Sequence, residues 1–316
     1  VRLAVRLGHV LGVALLGATL TAAAAAFAGC SSKDSTPAAA TPGPRMKEYP
    51  PTGQTKTFDL TISEFDWEVA PGAIYDAIGY NKTLPGPVLE VNAGDHVVIH
   101  LTNASSEPHS IHTHVVRFPE GSDGVKYGIA EPGKTVTVQW DAVYAGTFPY
   151  HDHVDEAAIL RGLYGALVVH APDEAPAAHE NVVVLADFDI PSYRQLPGVG
   201  VGDAGPSDVG DYRGGHQYMH GIDGHAYTEW TPHFQAKSGD LVRWRVISMG
   251  LEFHTFHIHG HRWTLPDGEI TDNVTLGPGT YTTFEFVEDN PGDWLYHCHV
   301  QTHMEGGMMG WYSVSK

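Results

Sequence analysis

The sequence predicts an all-β protein built as two β-sandwich domains. Its apolar residues alternate with polar ones or run in short blocks, as in VLEVNAGDHVVIHLTN, KTVTVQW, GALVVHA, NVVVLADF, DLVRWRVIS and TYTTFEFVE. Gly, Pro, Asn and Asp separate the blocks, the pattern of strands joined by turns. The 36 Gly and 21 Pro among 316 residues, with only 17% charged, agree with short strands and disfavour a helix-rich fold. The chain also repeats itself. Gly94-Asp95 precedes His109-Ser110-Ile111-His112-Thr113-His114, and Gly239-Asp240 precedes His254-Thr255-Phe256-His257-Ile258-His259, an offset of 145 residues. Pro132-Gly133 leads to Tyr150-His151-Asp152-His153, and Pro278-Gly279 leads to Tyr296-His297-Cys298-His299, an offset of 146. Two homologous halves follow, residues 55–172 and 178–316, each with seven or so strands, for which antiparallel Greek-key connection is the usual solution.

The segments outside these halves have other roles. Residues 1–30 begin with Arg2 and Arg6, continue through a small apolar stretch and end in Phe27-Ala28-Gly29-Cys30, the form of a cleavable export signal. A cysteine directly after Ala-Gly at such a point resembles a bacterial lipoprotein signal, with Cys30 receiving lipid; Phe27 departs from the usual Leu. An ordinary signal peptide cut nearby is the alternative, and both export the protein. Residues 31–54, rich in Ser, Thr, Ala and Pro, are expected to form a flexible tether. The stretch from Ser192 to Gly215, dense in Gly, Asp and Pro, is expected to be a loop.

Charge narrows the partners. The formal net charge is −19, and loss of residues 1–29 removes two cations to give −21, which argues against nucleic acid and favours neutral or cationic substrates over anions. Only two cysteines are present, so a lipid-bearing Cys30 leaves Cys298 without a disulfide partner. A lone thiol in an oxidising compartment then calls for another role.

Strand geometry supplies that role. Residues i and i+2 of a strand share a face while i+1 points the other way. His297 and His299 can therefore bind metal on one face while Cys298 binds a different metal on the other. The same alternation pairs His112 with His114, His151 with His153, and His257 with His259, giving eight imidazoles. His303 and Met308 follow Cys298 at five and ten residues, and His254 precedes His257 by three. Two imidazoles, a thiolate and a weak thioether form the ligand set of a blue copper electron-transfer site, whereas zinc sites use fewer histidines.

The segments SIHTH, YHDH, HTFHIHGH and HCHVQTHMEGGM resemble the four copper-binding motifs of the multicopper oxidases, across almost the whole mature chain. With two halves and the blue site in the second, the chain is similar to the bacterial two-domain, or small, laccases. The resemblance implies two cupredoxin-like domains and four copper ions per chain. His254, Cys298, His303 and Met308 would hold type 1 copper and His112 and His257 type 2 copper. His114, His151, His153, His259, His297 and His299 would hold the type 3 pair. In the first half Asp152, Ala157 and Gly162 stand where Cys298, His303 and Met308 stand in the second, so no type 1 site is expected there. Val115 occupies a position where the family often has Gly.

The implied reaction takes single electrons from a reductant, at the exposed edge of His303 or His254, and reduces dioxygen to water. Asp123 and Asp272 resemble the acidic residues placed near the copper cluster in such enzymes, and equally suit turns. The reductant could be a phenol or another small molecule, or a cuprous, ferrous or manganese ion. Copper nitrite reductases, whose type 1 cysteine lies in the first domain, and a copper-carrying cupredoxin are the competing readings. The resemblance also implies a homotrimer in which domain one of one chain faces domain two of the next. The expected location is the cell surface or periplasm, with the membrane reached by the lipid anchor alone. The histidines outside the motifs, His109, His220 and His261 among them, are read as surface or hydrogen-bonded structural residues.

Overall fold

A computed structural model describes residues 47–190, 212–213, 216–265 and 268–316. Cys30, the proposed signal, most of the tether and most of the loop after Ser192 lie outside the described residues. Residues 47–54, assigned above to the tether, are instead bonded onto the first sandwich. Tyr49 N–H donates to Val143 O at 2.9 Å, Thr52 N–H donates to Gly94 O at 2.9 Å, and the Thr52 hydroxyl donates to Asp95 at 2.6 Å. A proline-rich stretch makes few hydrogen bonds of its own, so composition alone could not reveal partners supplied by a distant turn.

The first half contains β1 (Thr55–Ala70), β2 (Ala73–Tyr80), β3 (Leu89–Asn92), β4 (His96–Asn103), β5 (His112–Thr113), β6 (Thr135–Asp141), β7 (Gly146–His151), the short α1 (Glu156–Leu160) and β8 (Tyr164–His170). The second contains β9 (His179–Asp189), β10 (Tyr212–Arg213), β11 (His216–Ile222), β12 (Phe234–Lys237), β13 (Leu241–Ser248) and β14 (His254–Ile258). It continues through β15 (Trp263–Thr264), β16 (Ile270–Thr271), β17 (Asn273–Leu276), β18 (Tyr281–Val287), β19 (Gly292–His297), α2 (Gln301–Glu305) and β20 (Met309–Ser315).

Pairing makes the duplication explicit. The first half forms sheets of order β2-β1-β4-β6 and β3-β8-β7-β5. The second forms β10-β11-β9-β13-β18 and β12-β20-β19-β14-β17, the same orders with a strand added at one end of each. The pairs β1–β4, β3–β8, β9–β13 and β12–β20 are parallel, so the sheets are mixed rather than purely antiparallel. Parallel neighbours need a crossover, and here the chain passes through the other sheet of its sandwich before returning. The protein is thus all-β with two cupredoxin-like sandwiches.

Each sandwich has its own core. Val97, Ile99, Leu101, Trp140 and Phe148 fill the first, and Val246, Trp244, Phe256, Tyr296 and Tyr312 fill the second. A third cluster, including Tyr75, Leu84, Tyr164, Phe188, Met219 and Ile247, joins the halves. Each fully buried apolar side chain stabilises by about 1.5–3 kcal/mol. Two buried tyrosines then fix the strands that bear histidine. Tyr150 donates to Pro87 O and Tyr296 to Pro232 O, both at 2.6 Å. Their rings lie over Gly165 and Gly310, where an added Cβ would come within 2.3 Å of them.

Candidate metal centres

In the second sandwich, β14 carries His254 while Cys298 follows β19 and His303 sits on α2. Their donor atoms converge: His254 Nδ1 lies 3.1 Å from His303 Nδ1, and Cys298 Sγ lies 4.0 and 3.7 Å from those two nitrogens. All three residues are buried, as is Met308, whose carbonyl accepts from Cys298 N–H at 3.0 Å. Burial pushes the Cys298 thiol up, but bonding to His254, to His303 and to the Thr255 N–H outweighs it and brings the thiol down to about 5. His254 moves the other way, to about 9: burial lowers it, and Asp187 and Cys298 raise it further. A thiolate balanced by a buried imidazolium proton is a place that a bound cation would take over, so this donor set fits a soft metal.

The eight paired motif histidines form two tetrads of matching shape. In the first, β5 pairs with β7 so that His112 faces His151; in the second, β14 pairs with β19 so that His257 faces His297. Ring centroids of His112 lie 5.8, 5.5 and 5.2 Å from those of His114, His151 and His153. The corresponding separations from His257 to His259, His297 and His299 are 5.2, 5.3 and 5.3 Å.

Main-chain carbonyls set the tautomers. His112 Nδ1 donates to Asp123 O at 2.6 Å, His151 to Asp152 O at 2.7 Å, His257 to Asp272 O at 2.7 Å and His297 to Cys298 O at 2.7 Å. A neutral ring that donates through Nδ1 carries its lone pair on Nε2. Burial, with neighbouring histidines adding to it, holds His151 and His297 down to about 4, so both stay neutral. Yet His151 Nε2 lies 3.3 Å from His114 Nε2, and His297 Nε2 lies 3.1 Å from His259 Nε2. Imidazole nitrogens that meet this closely, with two further rings beside each pair, converge as a set of nitrogen donors, and the residues present therefore fit metal.

The tetrads are open. His153, His259 and His299 are exposed, and among the described residues the ring contacts of each tetrad stay within it apart from Phe118 on His112 and Tyr281 beside His114. Asp123 and Asp272 do lie beside the tetrads, but the parts that touch histidine are their main-chain carbonyls. Desolvation raises the Asp123 carboxylate, but the N–H groups of Val125, Tyr127 and Lys126, which donate to it, together outweigh that and hold it below its usual range. The Asp272 carboxylate is exposed, 3.9 Å from His257 Nδ1.

One expectation needs correction. His254 and His303 are 0% and 1% exposed, so neither presents an open ring edge to a reductant. Glu252 covers His303, with Oε2 3.3 Å from Nε2. His220, read above as a surface or hydrogen-bonded structural residue, is a buried, hydrogen-bonded one: it stacks on His303 at 4.1 Å between centroids and bonds through Nδ1 to Asp187 at 2.6 Å. Asp187 also lies 3.4 Å from His254 Nε2 and accepts from the Leu251 N–H, so one carboxylate braces His254 directly and His303 through the stacked ring of His220. Neither His220 nor Asp187 has a motif signal; the sheet pairing of β11 with β9 sets them opposite each other. His220→Ala should weaken metal binding at the thiolate site while leaving the tetrads unchanged, readable by metal titration of the full chain.

Val115 has φ +56, and Gly260, its counterpart in the repeat, has φ +71. The backbone after each histidine pair turns left-handed, which explains why glycine suits that position and why the β-branched Val115 is strained there.

Comparison with known proteins agrees with this geometry. Two multicopper oxidase family models match, one over residues 61–174 and the other over residues 204–316. A probable nitrite reductase-hydroxylamine oxidoreductase fusion protein of Kuenenia stuttgartiensis is 34% identical over 79% of this chain and 30% of its own length. Human ceruloplasmin is 29% identical over 72% of this chain and 23% of its own length, so the chain spans less than a third of these relatives. Among solved structures, a multicopper oxidase superposes with a TM-score of 0.70 at 28% identity, covering 86% of this chain and 93% of the other. The blue copper oxidase of Nitrosomonas europaea gives 0.67 at 27% identity, covering 83% and 86%. From its two matched halves, its fold and its histidine–cysteine constellation, the chain belongs to the multicopper oxidase family, whose members are copper-dependent oxidoreductases that use dioxygen.

Proposed function

We propose that the chain is a two-domain, laccase-type oxidase that takes single electrons from phenolic or similar donors and reduces dioxygen to water. The observation that supports it best is one dipeptide step: Cys298 of the thiolate site is covalently flanked by His297 and His299 of the second tetrad. Copper bound at His254, Cys298, His303 and Met308 would accept electrons singly, and copper at the eight tetrad histidines would deliver four to dioxygen. The chain's own part is to hold neutral imidazoles by their Nδ1–H bonds and to keep the thiolate dry. Its covalent link between the two sites is a few bonds long.

Copper analysis of the purified chain tests the reading. Four ions per chain support it, two point to a nitrite reductase, and one to a carrier. Asp152 in the first sandwich, where a nitrite reductase would carry its cysteine, already weighs against the second outcome.

A metal-ion reductant is the second reading, favoured by the burial of His303 behind Glu252 and by the carboxylate of Asp187 at His254. Human ferroxidase HEPHL1, 29% identical over 72% of this chain, is named for that activity. Steady-state rates with a phenol, ferrous ion and cuprous ion, compared in wild type and Glu252→Gln, separate the two. A rate lost in Glu252→Gln for the ions alone favours the metallo-oxidase.

Protons must also reach the site of dioxygen reduction, and Asp123 and Asp272 are proposed to supply them. Asp272→Ala and Asp123→Ala should keep the blue colour and slow dioxygen consumption about 100-fold or more, the range lost with a general acid. Turnover at the wild-type rate in both would leave them as turn residues.

The tetrads are proposed to be completed between chains. Beside the first lie exposed Val125 and Tyr127, 46% and 45% accessible, and near the second lies Ile270 at 70%. Apolar side chains next to half-built sites suit a second copy of the chain, and a head-to-tail contact that closes gives a ring, here a trimer. Export and a lipid anchor at Cys30 belong to the same proposal. Among the described residues no helix is long and apolar enough to cross a membrane, and Cys30→Ala should move membrane-bound protein into the soluble fraction.

A further inference from the structure

The place that Cys298 holds in the second sandwich is held in the first by Asp152, and the two make matching bonds. Thr255 N–H donates to Cys298 Sγ at 3.4 Å, while Ser110 N–H, the repeat equivalent, donates to Asp152 Oδ1 at 2.7 Å. His299 N–H donates to the Thr255 hydroxyl at 2.7 Å, while His153 N–H donates to the Ser110 hydroxyl at 3.1 Å. His254 lies by Cys298, and His109, its equivalent, bonds through Nδ1 to Asp152 Oδ2 at 2.9 Å.

Asp152 is fully buried and His109 is 3% exposed, so the pair is shielded from water. The carboxylate takes further hydrogen bonds from the Ser110 hydroxyl at 3.1 Å and from the N–H groups of Val154 at 3.2 Å and Asp155 at 3.1 Å. Five donors converge on one side chain. The same residue's carbonyl oxygen receives His151 Nδ1. Asp152 thus ties together the segment before β5, which leads to His112, and the segment after β7, which bears His153.

We propose that the buried His109–Asp152 pair is a positioning device for the first histidine tetrad. A carboxylate and an imidazole reproduce there, without a metal ion, the cross-strand clamp that thiolate and imidazole provide in the second sandwich. A buried carboxylate left without these donors would be costly, and donors left without it equally so; each unsatisfied group costs about 1–3 kcal/mol. The pair therefore fixes the spacing between His112 and the His151/His153 strand more tightly than apolar packing would. Loss of such supporting bonds around metal ligands lowers metal affinity by about 10–100-fold.

This inference rests on the copper reading of the tetrads, and the experiment separates the two. Full-length wild type, Asp152→Ala and Asp152→Asn are compared by copper content, blue absorbance, the type 2 copper resonance signal and the chelator concentration that strips copper. In Asp152→Ala the blue absorbance per chain is expected to stay at the wild-type value, because the thiolate site belongs to the other sandwich. Copper beyond that one ion should be stripped at about 10–100-fold lower chelator concentration, with an altered type 2 signal. Asp152→Asn keeps the shape and one acceptor oxygen, so it should fall between the two. It also decides the matter if Asp152→Ala does not fold. Wild-type chelator resistance and type 2 signal in both variants overturn the proposal, as does a parallel loss of blue absorbance in Asp152→Asn, which would mark a general structural role. A wild type that binds copper at the blue site alone overturns the oxidase reading itself, and this one with it.

Discussion

A Cys298→Ser chain is expected to be colourless, to hold one copper ion fewer than wild type, and to oxidise no donor above background. Blue colour in such sites comes from charge transfer out of a thiolate, and the chain has no second thiol among its described residues. Serine keeps the size of the side chain, but its hydroxyl does not ionise at neutral pH and its hard oxygen is a poor ligand for copper that cycles between two oxidation states. The fold around it should persist, because the main-chain bonds of residue 298, from its N–H to Met308 O and to its carbonyl from His297 Nδ1, do not involve sulfur. The tetrads therefore keep their imidazoles and tautomers. Absorption spectra and metal analysis of the two proteins check this, and a blue serine variant would remove Cys298 from the site.

Much of the fold was legible because the duplication preserves turn chemistry as well as strands. The Gly-Asp and Pro-Gly pairs recur at nearly constant offsets, and the sheet orders of the two halves then match but for one strand added at an end of each second-half sheet. The mixed character of the sheets was not legible. Alternation of apolar residues reports which face of a strand is buried, not whether its neighbour runs parallel to it. The attachment of residues 47–54 was hidden for a related reason: its partners, Val143, Gly94 and Asp95, are brought there by the fold.

The ligand set was legible because i, i+2 spacing puts two imidazoles on one face and the intervening side chain on the other. Cys298 and Asp152 both obey that rule, being buried at 0% while His299 and His153 beside them are exposed. What spacing missed are the residues that hold ligands from behind. Asp187 and His220 lie on β9 and β11, 67 and 34 residues before His254, and only sheet pairing brings them together. The roles of Asp123 and Asp272 divide for a comparable reason, since a main-chain carbonyl that fixes a tautomer leaves no trace in residue identity.

Mixing two inactive chains should restore activity. The first carries His112→Ala/His114→Ala and keeps a complete second tetrad; the second carries His257→Ala/His259→Ala and keeps a complete first tetrad. Each alone has every cluster damaged, whichever way clusters are built. In a ring where domain one of one chain meets domain two of the next, the mixture contains interfaces at which both tetrads are intact. Random equal mixing places an intact first tetrad against an intact second tetrad at about one interface in four, so about a quarter of wild-type activity per chain is expected. The thiolate site at such an interface is sound, because it belongs to the chain whose second tetrad was left alone. Within the chain the tetrads share no ring contact among the described residues, and their outward imidazoles, His153, His259 and His299, are exposed. Oxygen consumption after co-expression or after exchange by mild denaturant gives the readout, with differently tagged chains proving that subunits have exchanged. A mixture that is shown to be exchanged and remains inactive would mean that each cluster is completed within one chain.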